Sequence, residues 1–208
     1  MNSFVAQAFV NGNIYGILCS LDADINPNFC YEAIFHEMTH IYCKTHEYRG
    51  KDFFKEYCLG EKEESGVDVI IADGYAVWSE FVAYYWGAEL DPFSNPLSMR
   101  QVREEIRELD AHIVAENAEV KTVVSQMLAH IFRNPDVRNT DSAVTAFELI
   151  EKNSVFATKE RTKSFQPLIT TIFEQLQTDN YVEISPFFMD DLGSAYRGML
   201  WHRSIETH

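Results

Sequence analysis

The stretch from Val67 to Tyr85 constrains the fold of this chain more than any other, because apolar and aromatic residues dominate it. It predicts one helix, closed by Gly87, and a helix this apolar cannot lie on a surface, so other elements have to pack around it. Within Ala76-Val77-Trp78-Ser79-Glu80-Phe81-Val82-Ala83 stands a single carboxylate, Glu80. Burying it without a partner is costly. Either Glu80 lies on the one solvated stripe of the helix, or it meets a cation.

A way to hold such a cation occurs earlier, in His36-Glu37-Met38-Thr39-His40. Ala33, Ile34, Met38 and Ile41 recur at helical spacings, with Phe29 one turn before them. Asn26 suits an N-cap and Pro27 the first helical position, so a helix is predicted from about Pro27 to Lys44. Residues four apart share a helix face, and His36 and His40 can therefore point their imidazole nitrogens at one site. Zinc accepts neutral imidazole and carboxylate ligands, and a catalytic site keeps one position open for water. Glu37, rotated by about 100° from His36, is near enough to take a proton from that water. With seven His and twenty Glu in 208 residues, chance produces this pattern about 0.02 times, so accident is a weak explanation. The competing reading is a helix whose two His and Glu are solvated or hydrogen-bonded in the core.

A chain of 208 residues can bury a real core without disulfide staples. Ahead of the first helix, Ala6 to Val10 and Asn13 to Leu18 are short apolar runs around Asn11-Gly12, the pattern of a β-hairpin. Strands this short must pack on helices or pair with further strands. Glu47 to Gly66 reads as a loop with a short helical piece and the charged run Glu61-Lys62-Glu63-Glu64-Ser65. After the turn-like Asp91-Pro92-Phe93-Ser94-Asn95-Pro96, helices are predicted at Ser98 to Phe132, broken midway, and at Asp141 to Lys152. Two more follow, Lys159 to Gln177 with a kink at Pro167, and Asp190 to Ser204. Pro135-Asp136 and Pro186-Phe187 read as turns between helices. The expected fold class is α+β, predominantly helical: a small N-terminal β-sheet packed on the His36–His40 helix and the Glu80 helix, with a helical C-terminal part.

Two residues compete to be a third protein ligand beside His36 and His40. His46 follows His40 at the spacing of HExxHxxGxxH, but Cys43 occupies the place where a Gly lets the chain swing back. Its plainer role is a polar residue at a helix end, where the dipole favours a cation. Glu80 is the other, and two His from one helix with one Glu from the next complete a three-ligand zinc site.

Read together, His36-Glu37-Met38-Thr39-His40 and Trp78-Ser79-Glu80-Phe81-Val82-Ala83 resemble the gluzincin metallopeptidases, which take two His from HExxH and a Glu from a later helix. The likeness is nearest to small bacterial and phage peptidases of the ImmA/IrrE type and covers about residues 13 to 86. It implies zinc on His36, His40 and Glu80, Glu37 as general base, and hydrolysis of peptide bonds. The substrate, a peptide or protein, would add to a strand edge, with Asn13 to Cys19 as the candidate. In many gluzincins an Asp stands four residues after the ligand Glu; here that place is Tyr84. Residues 1–90 are then the expected metallopeptidase core and 91–208 the helical C-terminal part, packed on the same domain. His46 and Gly50-Lys51-Asp52-Phe53-Phe54-Lys55 bear a fainter likeness to the SprT-like proteases, which act on DNA-bound proteins. The acidic charge and the lack of a basic, aromatic-interleaved patch argue against that relationship.

A formal charge of -15 repels phosphate backbones and anionic lipid, so neither nucleic acid nor membrane is an expected partner. The first seven residues carry no secretory signal features, and Cys19, Cys30, Cys43 and Cys58 form no CxxC pair; reduced thiols and a cytoplasmic location are expected. The alternative class of function is a non-catalytic metal-binding regulatory or protein-interaction module with a helical docking surface. Tyr75, Tyr84 and Tyr85 can donate to a tetrahedral intermediate, although aromatic residues at helical spacing are usually core. His112, His130 and His202 are isolated in sequence, His202 being a candidate oxyanion donor, and His208 is terminal.

Overall fold

A computed structural model of the chain describes residues 6–11, 14–19, 27–45, 66–92, 95–114, 120–140, 143–153, 163–178 and 184–204. It is mostly helical with one small antiparallel sheet, an α+β fold. Strands β1 (Ala6–Asn11) and β2 (Ile14–Cys19) pair with Ala6 opposite Cys19 and Asn11 opposite Ile14. Asn11 therefore belongs to the strand, and Gly12 of the predicted turn and Asn13 of the predicted second strand lie outside the described residues. The pleat sorts the hairpin into faces: Ala6, Ala8 and Ile17 are half-buried toward the first helix, while Gln7, Ile14 and Leu18 are exposed.

Helix α1 (Pro27–Thr45) starts at the proline the sequence placed at its first position. Its described part closes at Thr45, whose hydroxyl donates to the Ile41 and Tyr42 carbonyls, each at 3.0 Å. Helix α2 (Gly66–Leu90) runs on through Gly87, where the sequence predicted its end. Gly87 serves close packing instead: a Cβ there would stand 2.9 Å from the His36 nitrogen and 3.0 Å from its Cα. The glycine lets α1 and α2 touch at His36.

The predicted Ser98 to Phe132 stretch contains α3 (Met99–Val114) and α4 (Val120–Arg133), and residues 115–119, where the predicted break falls, lie outside the described residues. The expected turn at Pro135 is a one-turn helix, α5 (Pro135–Arg138), because the Asn134 side chain accepts the Asp136 N–H at 2.9 Å and caps it. After α6 (Ala143–Asn153) comes α7 (Gln166–Leu176), with Pro167 in its first turn. The predicted kink is absent because a proline there has no intrahelical N–H bond to lose. Helix α8 (Pro186–Ser204) begins one turn earlier than predicted, capped by the Ser185 hydroxyl, which accepts the Phe188 N–H at 3.1 Å.

Helix α2 is the axis of the molecule, packed against α1, α4 and α8, with Val77, Phe81 and Ala83 fully buried. Helices α2 and α8 approach through glycines, since a Cβ at Gly74 would collide with the Met189 carbonyl and one at Gly193 with that of Ile70. The buried core runs from Cys43 on α1 through α2 and α4 to Met199 on α8. Among the described residues, no helix is long and apolar enough to cross a membrane.

Candidate metal centre

One turn apart on α1, His36 and His40 face α2 with their Nε2 atoms 3.1 Å apart. Glu80 on α2 reaches both: Oε2 is 3.4 Å from His36 Nε2 and Oε1 is 3.4 Å from His40 Nε2. Among the described residues, this is the one group of three metal-ligating side chains with donor atoms all within 4.8 Å of one another. Around a tetrahedral zinc with bonds of about 2.0–2.2 Å, ligand atoms lie about 3.3–3.6 Å apart. The observed edges of 3.1, 3.4 and 3.4 Å are close to one face of that tetrahedron. Nitrogen lone pairs and a carboxylate this near one another also require positive charge between them, from a proton or a metal ion. The donor set therefore fits zinc. His46, the other candidate third ligand, lies outside the described residues.

Burial alone raises the pKa of the Glu80 carboxyl, but hydrogen bonds and charge from His36 and His40 outweigh it and hold the group well below the usual carboxylate range. Glu80 thus stays ionised and available as a ligand. Tyr84, one turn further on α2, lies with its ring centroid 4.2 Å from that of His36. Burial, reinforced by Glu80, Glu32, Glu37 and Glu105, raises its phenol well above the ordinary tyrosine value and keeps it neutral.

Glu37 points elsewhere on α1, toward the hairpin, where its Oε2 accepts the Ala8 backbone N–H at 2.7 Å. An N–H free to reach Glu37 is not pairing with β2, so the edge beside the site is the outer edge of β1. A hydrogen bond from the main chain has no signature in residue identity, which is why the assignment had to come from the fold.

Behind the ligands, His40 Nδ1 lies 3.4 Å from the Ser79 hydroxyl, and His36 Nδ1 is buried with no hydrogen-bond partner among the described residues. His130 is not isolated: its Nδ1 is 2.5 Å from Glu105 Oε1 and its Nε2 3.9 Å from Glu32 Oε1. The Tyr84 ring separates this cluster from His36, with ring centroids 6.4 Å apart on the His130 side. Sequence reasoning passed over Glu32, yet Glu32, His36 and His40 are four apart in turn and share one helix face. Tyr85 stacks on Phe81 and Tyr75 packs against the core, as their spacing suggested. The side chains of His112 and His202, and the whole of His208, lie outside the described residues.

No family model, curated protein or solved structure matches the chain.

Proposed function

We propose that this chain is a zinc-dependent peptidase that hydrolyses peptide bonds in a polypeptide. The observation that carries the reading is the convergence of His36 Nε2, His40 Nε2 and the Glu80 carboxylate beside a helix-borne Glu37. His36, His40 and Glu80 would hold the zinc. When bound, the metal supplies Lewis acidity, polarising the scissile carbonyl and lowering the pKa of a water toward about 7.

The chain's own residues do the rest. Glu37 is tethered through Oε2 to the Ala8 N–H, which leaves Oε1 to accept a proton from the attacking water. The same carboxyl then passes that proton to the departing amine nitrogen, so the base ends as it began. Glu37 is not itself among the converging ligands, which suits a base rather than a metal donor. The outer edge of β1 offers main-chain groups of Ala6 and Val10, and the Ala8 carbonyl, to an extended substrate. A reducing, cytoplasmic setting would suit this reaction, with Cys19 as an exposed thiol.

The test is metal content by mass spectrometry on the wild type, His36→Ala and Glu80→Ala, with peptide hydrolysis measured on wild type and Glu37→Gln. About one zinc per chain, lost in both ligand variants, with Glu37→Gln retaining zinc and losing at least a hundredfold in rate, supports the peptidase. Zinc bound with no hydrolysis, unchanged by Glu37→Gln, would turn the assignment to a metal-binding regulatory module. Absence of zinc after it is supplied would sink both.

A further inference from the structure

A cavity of about 680 Å³ opens between α1 and the C-terminal turns of α2, on the flank of α1 nearly opposite Glu37. Its volume falls in the range of pockets that take small organic molecules. Met38 and Tyr42 of α1 and Tyr85, Trp86 and Leu90 of α2 make the wall, with the Tyr42 and Trp86 ring centroids 6.1 Å apart. These residues are distinct from His36, His40 and Glu80, so the cavity is a site apart from the metal centre. Three aromatic rings and a thioether favour a flat aromatic body, because ring edges and sulfur both pack well against π faces. At one end the wall turns polar, where Arg138 Nη1 donates to Glu89 Oε1 at 3.0 Å and Arg133 Nε approaches the same oxygen at 3.4 Å.

That polar end decides the sign of the ligand. One carboxylate already meets two guanidinium groups, so a cationic ligand would add a third positive charge beside them, whereas an anion is attracted to both. Arg133 is buried and donates to the Ala88 carbonyl at 2.8 Å, which fixes its place; Arg138 is 55% exposed as a side chain, within reach of a ligand, and its planar fork matches a carboxylate. The net charge of -15 acts from a distance and is screened beyond about 8 Å in physiological salt, while the two arginines are local. We propose that this cavity binds a small aromatic carboxylic acid, with its ring against Tyr42 and Trp86 and its carboxylate on Arg138. The site does not depend on the zinc reading.

The test titrates the whole chain with 1-naphthylacetate, its neutral amide 1-naphthylacetamide and the cation 1-naphthylmethylamine, followed by calorimetry and tryptophan fluorescence. The acetate is expected to bind with a Kd below about 1 mM, as suits a ligand of about 14 non-hydrogen atoms, and at least about tenfold more tightly than the other two. Arg138→Gln should bring the acetate within about threefold of the amide, since it removes the charge and keeps the bulk. Leu90→Glu, at an exposed position on the wall, should weaken the acetate by about threefold or more while sparing the amide, and it decides the matter if Arg138→Gln does not fold. Amide or amine binding as tightly as the acetate, or an acetate preference that survives Arg138→Gln, overturns the proposal. So does the failure of all three probes to bind. A chain that dimerises in solution and becomes monomeric in Leu90→Glu would show the cavity to be an interface between copies, which overturns it as well.

Discussion

Helix α2 carries two carboxylates at polar junctions of the interior, and they are neutralised in opposite ways. Asp73, toward its N-terminal half, is 12% exposed as a side chain and lies 2.5 Å from Lys121 Nζ on α4 and 2.7 Å from Arg197 Nε on α8. Those cations are permanent at any physiological pH, so Asp73 ties three helices together. Glu80, two turns further on, faces two imidazoles that carry charge only when protonated and otherwise present lone pairs. One junction is closed by its own side chains. The other needs a proton or a metal ion between its groups, which is the difference on which the proposed role of Glu80 rests.

Removing each carboxylate is the direct way to break this contrast. Glu80→Ala should reduce zinc affinity by at least a hundredfold in competition with a chromophoric chelator and abolish hydrolysis, with little change in the melting temperature of the metal-free protein. Asp73→Ala should do the reverse, lowering stability by roughly 2–3 kcal/mol in urea denaturation and changing zinc affinity less than threefold. Equal effects of the two variants on zinc would erase the distinction.

Gly87→Ala sharpens the contrast from the backbone side. The added Cβ would press on His36 and force α1 away from α2, costing about 1–2 kcal/mol, partly offset by the better helix propensity of Ala. Zinc affinity should fall with it, whereas an effect on stability alone would mean that the helix spacing is not what sets the ligand geometry.

The smallest effect concerns the Asp73 junction at high pH. Burial, and then the Asp73 carboxylate, push the Tyr196 phenol up to about 12, with Arg197 pulling the other way. Between pH 10 and 12 the folded chain therefore holds a proton that the unfolded chain has released, and stability falls as pH rises. About 1 kcal/mol should be lost by pH 11 through this group, and Tyr196→Phe should make the fall shallower in urea titrations at pH 9 and 11. An unchanged slope would detach Tyr196 from the junction.

Much of the framework was legible from residue order. The start of α1, the hairpin, the apolar character of α2 and the alternation of later helices follow from spacing and capping chemistry, which act within a few residues. The boundaries that shifted have local physical causes: Ser185 caps α8 before Asp190, Pro167 begins α7 rather than bending it, and Gly87 sits inside α2. Gly87 was misread because a glycine at a helix end and a glycine at a helix crossing look alike in one dimension.

His36 and His40 share a face whatever surrounds them, because four residues make about one helical turn. The sequence by itself thus determined the two-histidine face, the position of Glu37 beside it and the burial of α2. Packing alone decided that Glu80 lies between those histidines, that β1 rather than β2 touches Glu37, that Ser79 is the sole outer partner of His40 among the described residues, and that Asp73 meets two cations. The physical reason is range: helical periodicity is set by bonds between neighbours, whereas each of these contacts joins segments 29 to 124 residues apart and exists only once the core has formed around α2.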